Sequence, residues 1–148
     1  MSATLNPVLS TDTTIAAVPA RSRSAVRSIW KATGVYGAVA AVATTIVAIV
    51  ARSAGIALDV DGEQIPLLGF AQLTLAGAVI GGVLATVLHK RARRPQRTFV
   101  VTAVALTAVS IIPDFTMPIE AASSVVLALT HVVAAAIIVP ALAARAAR

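Results

Sequence analysis

Cysteine is absent from this chain, so disulfides, thiolate nucleophiles and cysteine metal sites are excluded. Acidic residues are scarce, six in 148, and no two of them fall together inside an apolar run, which argues against a two-carboxylate mechanism. Only two histidines are present. His89 falls at one end of an apolar run and His131 in the middle of another, so a bis-histidine haem is not expected. No Gly-x-Ser-x-Gly, no His-Glu-x-x-His and no phosphate-binding glycine loop occurs. No cofactor or metal is therefore expected, and the chain does not read as an enzyme. Charged residues make up 12% of the chain, against about 25% in a soluble domain.

Long apolar runs take their place. They cover Ala32–Ala51, Leu67–Leu88, Phe99–Ile112 and Ala121–Ala144. A bilayer core takes about 20 residues of helix to cross. The charges between the runs are sorted by sign. Arg21, Arg23, Arg27 and Lys31 precede the first run, and Lys90, Arg91, Arg93, Arg94 and Arg97 lie between the second and third. Arg145 and Arg148 end the chain. Asp59, Asp61 and Glu63 follow the first run, and Asp114 and Glu120 follow the third. Eleven of the twelve Lys and Arg residues thus share alternate gaps, and Arg52 alone departs. This is the positive-inside pattern of an all-α integral membrane protein with four transmembrane helices in an up-down bundle, both termini in the cytoplasm. The expected location is a bacterial plasma membrane.

The net charge of +6 does not indicate nucleic acid, because the basic residues flank apolar spans. Anionic lipid headgroups at the inner basic loop are the expected partners, together with the bilayer itself. A cleaved signal peptide fits poorly: the segment before the first run is too long, and the run exceeds the usual 7–15 residues or so.

Residues 1–28 read as a disordered cytoplasmic tail rich in Ser, Thr, Ala and Pro, and residues 29–144 as the membrane domain, with spans near 30–51, 67–88, 98–114 and 120–142. Trp30 and Phe99 mark inner ends, and Phe70 and Phe115 outer ends. Asp61-Gly62 is a two-residue turn signal, so a short extracytoplasmic β-hairpin between helices 1 and 2 is expected, the alternative being an irregular loop with the same turn. The third run is only about 21 Å of helix. Either the bilayer thins locally or, as is favoured, the helix continues with a kink through Pro113 and Asp114 towards Met117, the carbonyl of Val109 losing its partner at the proline.

Polar residues within the spans are the candidate site. His131 lies about 16 Å in from Glu120, near the middle of the bilayer. Ionisable groups at that depth usually face a bundle interior or a cavity. Thr107, Ser110 and Asp114 share a helical face at i, i+3 and i+7, and Ser124 and His131 form a similar stripe one span on. Facing each other, the stripes make a polar seam, to which Gln72 adds. The alternatives are a neutral, internally bonded His131 and an Asp114 that merely opens a wet turn. Gly77-x-x-x-Gly81, continued by Ala85, is a row for close helix packing within the chain or in a homo-oligomer.

Ile65-Pro66-Leu67-Leu68-Gly69-Phe70, Ser110-Ile111-Ile112-Pro113-Asp114 and Leu129-Thr130-His131-Val132-Val133-Ala134-Ala135 together resemble an uncharacterised family of small actinobacterial four-span membrane proteins, known as a domain of unknown function. The resemblance runs from about Trp30 to Leu142 and implies the fold alone. Two functions stay open. One is a membrane accessory or interaction protein, alone, as a homo-oligomer or with a membrane-protein partner. The other is a small proton-linked transporter or permease using Asp114 and His131. Small multidrug exporters are similar in length and span count, but the membrane-embedded Glu of their first span has no counterpart here.

Overall fold

The computed structural model describes residues 20–147 apart from Asp61 and Pro118. Most of the tail expected over residues 1–28 lies outside the described residues. From Ala20 onward the tail expectation needs correction, because α1 is already helical and runs Ala20–Ser53. Its apolar face extends below Trp30: Ala25, Ile29 and Ala32, at i, i+4 and i+7, are all buried. Ile29 joins Phe99, Leu142 and Ala143 in one core cluster, so Arg23, Arg27 and Lys31 ride on the outside of a helix that the core holds in place.

Three more helices follow: α2 Leu67–Arg91, α3 Pro95–Thr116 and α4 Ala121–Ala146. All four are long and apolar enough to cross a membrane. Pro95 opens α3 at a position whose N–H has no helical partner in any case. Helix α3 continues through Pro113 and ends at Thr116, giving 22 residues instead of the fourteen of its apolar run. Between α1 and α2, β1 (Asp59–Val60) and β2 (Glu63–Gln64) pair antiparallel, Asp59 opposite Gln64 and Val60 opposite Glu63. Gly62, at φ +81°, supplies the left-handed position the turn requires.

The segment before α2 is pinned to the bundle. Leu58 is fully buried, packed with Ala48, Ala51, Phe70, Val126 and Leu127. It adopts φ 49°, an uncommon conformation for a branched residue that costs about 1–3 kcal/mol. Burial of its side chain offsets that cost. The Leu58 carbonyl accepts the Ile65 N–H at 3.0 Å, and the Arg52 guanidinium donates to the Ile65 carbonyl.

Helix α1 packs against α2 and α4, and α4 against α3, while α3 meets α2 much less. The tight α1–α2 approach falls one residue off the expected glycine row. A Cβ on Gly37 would stand 2.9 Å from that of Ala78, and one on Gly82 would stand 2.5 Å from Thr33 Oγ1. The Gly77–Gly81 row itself faces away from α1. Gly81 meets Leu142 and Ile138 of α4 at ordinary distances, and nothing lies within 4 Å of a Cβ on Gly77. Successive residues are about 100° apart around the axis, so adjacent small-residue rows address different neighbours.

Candidate functional site

The inward face of α3 carries hydroxyls every turn, and each is tied to its own helix. Thr107 Oγ1 donates to the Ala103 carbonyl at 2.9 Å, and Ser110 Oγ to the Thr107 carbonyl at 2.8 Å. This is the usual resort of Ser and Thr inside a helix without water. Ser110 Oγ also lies 3.1 Å from His131 Nδ1, across the α3–α4 contact. The serine hydrogen is already committed to Thr107, so Nδ1–H donates to Ser110 Oγ. That leaves Nε2 as the ring nitrogen with an unused lone pair. Nε2 faces Asp114 Oδ2 at 3.7 Å. The distance is ion-pair range and too long for a direct hydrogen bond.

Asp114 is buried, and its Oδ2 has no hydrogen-bond partner. An imidazole nitrogen and a buried carboxyl oxygen thus face each other across the α3–α4 contact. Among the described residues no three of His, Cys, Asp and Glu converge as a metal site would require.

Beside this pair runs a cleft of about 440 Å³ between α2, α3 and α4, where α3 stands away from α2. It extends from Phe99 at one end to Ile65 and Phe70 at the other, with Ser110 and His131 on its wall. The volume is that of a small-molecule site, and the walls are mostly apolar with a few polar groups, as such sites are.

The structure brings Thr107, Ser110, Asp114 and His131 together and leaves out the other two candidates. Gln72 is exposed and off the cleft, because it lies on a different face of α2 from Thr74 and Gly77. Ser124 is buried but does not line the cleft. At that level α4 is enclosed by the core cluster around Leu58, with Val126 and Leu127. Two lining hydroxyls were not foreseen as site residues. Thr74 bonds Thr44 of α1 at 2.9 Å, and Thr130 donates to the Leu127 carbonyl at 2.7 Å. Thr130 follows one step before His131, which is a signal in retrospect, whereas Thr44 and Thr74 are thirty residues apart with nothing in the sequence to pair them.

Fold and site define an α-helical protein with four candidate membrane spans and an acid–imidazole pair beside an apolar cleft. Residues 24–148 match the family described as Family of unknown function (DUF6069), and the chain belongs to that family. No curated protein and no solved structure matches it.

Proposed function

We propose that the chain is a multi-pass protein of a bacterial plasma membrane serving as an accessory or interaction subunit, with no enzymatic activity. The four helices cross alternately as an up-down bundle. Both termini and the basic segment around Lys90–Arg97 face the cytoplasm and its anionic headgroups, and the β1–β2 segment lies outside. The charge sorting supports this orientation.

The observation that carries the interaction reading is α3. Among the described residues of this helix only Phe99 and Asp114 are buried, while Val101, Val104, Leu106, Val109 and Ile112 stand exposed. Photoreactive residues at Val104 and Val109, with Val35 of α1 as control, test it in intact membranes. The expected result is one protein adduct of constant mass at the α3 positions and lipid adducts alone at Val35. Lipid adducts alone at all three positions would overturn it.

One observation favours a second reading, a small proton-linked transporter or permease: the Asp114–His131 pair beside the cleft. Proteoliposomes holding a pH dye, driven by a potassium diffusion potential, test it. Proton entry that disappears in both Asp114→Asn and His131→Leu, with folding intact, supports transport. Entry no faster than into empty vesicles removes it.

A further inference from the structure

The polar groups of the cleft share a property that becomes plain when their hydrogens are followed one by one. Thr107 gives its hydroxyl hydrogen to Ala103, Ser110 to Thr107 and Thr130 to Leu127, in each case to a backbone carbonyl. Thr44 gives its own to Ala41, so in the Thr44–Thr74 bond Thr74 is the donor. His131 Nδ1–H goes to Ser110, and Nε2 faces Asp114. Among the described side chains that line the cleft, every polar hydrogen is therefore committed within the protein. Oxygen lone pairs remain: each hydroxyl can accept two hydrogen bonds. The cleft is an apolar cavity whose only unused polar capacity is for accepting.

We propose that this cleft is a binding site for an uncharged apolar molecule bearing a hydroxyl group, which enters sideways between α2 and α3 and donates its hydrogen to the Thr107–Thr130 region. A ketone, ester or carboxylate of the same shape finds no donor there, and a buried polar group without a partner is penalised. A carboxylate carries the further cost of desolvating a charge. An ammonium head could donate, but Asp114 does not line the cleft and is already faced by His131 Nε2, so the cation would lose its hydration without a direct ion pair.

The test uses the full chain in lipid nanodiscs and four photoreactive C12 probes with the same diazirine: dodecan-1-ol, dodecan-2-one, dodecanoate and dodecylamine. The alcohol is expected to label peptides from α2, α3 and α4 at the cleft roughly three- to tenfold more than the ketone or the acid, the ratio one hydrogen bond supplies. Thr107→Val, similar in shape without the acceptor, is expected to bring the alcohol-to-ketone ratio towards one. Gly77→Leu places a side chain where nothing lies within 4 Å of the new Cβ, so it fills the cleft without a clash there. It is expected to abolish labelling by all four probes while the melting temperature holds or rises. Equal labelling by alcohol and ketone, as indifferent lipid tails would give, overturns the proposal. A preference for the amine over the alcohol overturns it too.

Discussion

His131 is held at one ring nitrogen and faces a buried carboxyl with the other. Ser110 fixes Nδ1, and Asp114 faces Nε2. Hydrogen bonds between membrane helices are worth about 0.6 kcal/mol on average and up to about 1.7. A double-mutant cycle on Ser110→Ala and His131→Leu, read by reversible unfolding in mixed micelles, is expected to give a coupling in that range. A coupling of zero would mean that the two side chains do not bond. The glycines diverge in the same assay. Gly82→Ala drives a methyl into Thr33 and should cost about 1–3 kcal/mol as overpacking. Gly34→Ala meets nothing within 4 Å and should be neutral or stabilise by about 0.5–1 kcal/mol. At this scale the sequence was informative about chemistry and weak about geometry. The i, i+3, i+7 stripe of α3 was legible because helical period fixes it. Its meeting with His131 but not with Ser124 depended on how α4 is covered, which one-dimensional spacing does not encode. The tight glycine row was missed by one residue for the same reason: period locates a row and leaves its neighbour open.

Among the elements, the segment between α1 and α2 and helix α3 differ most in how they are held. The segment is short and polar, yet Leu58 anchors it in the core beside Phe70 and Leu127, and Arg52 ties its far end at Ile65. Leu58→Ala removes the anchor while keeping a side chain in the left-handed conformation. It is expected to expose Gly55–Gln64 to limited proteolysis without loosening the helices. Resistance equal to that of the parent chain would show that the β1–β2 ladder suffices alone. Helix α3 has few buried positions, and its deviation from the apolar run is physical rather than accidental. Pro113 lacks a donor but fits where the helix is about to end, and Thr116 bonds back to Ile112 at 3.2 Å. A fourteen-residue run therefore becomes a 22-residue helix by adding polar turns at both ends. The element count was readable from hydropathy. The N-terminal extension of α1 was not, because Arg and Ser on the exposed side hid the Ala25–Ile29–Ala32 face.

For the whole molecule, the sorting of charges makes one experiment unusually direct. With no native cysteine, single cysteines report topology without background. Glu63→Cys and Arg93→Cys occupy exposed positions in opposite charge classes. An impermeant maleimide applied to intact cells is expected to label the first and to reach the second only after permeabilisation. The reverse result would invert the proposed orientation.

The cleft lies where α3 stands away from α2, so in the proposed membrane topology a molecule entering it sideways would come from the bilayer and not from water. Its concentration there follows from its partition into lipid. Across a homologous series, apparent affinity judged from the aqueous dose would then improve by about 0.8 kcal/mol per methylene through partitioning alone. Occupancy of this cleft has meaning only per mole of lipid, and chain length separates from recognition only on that scale.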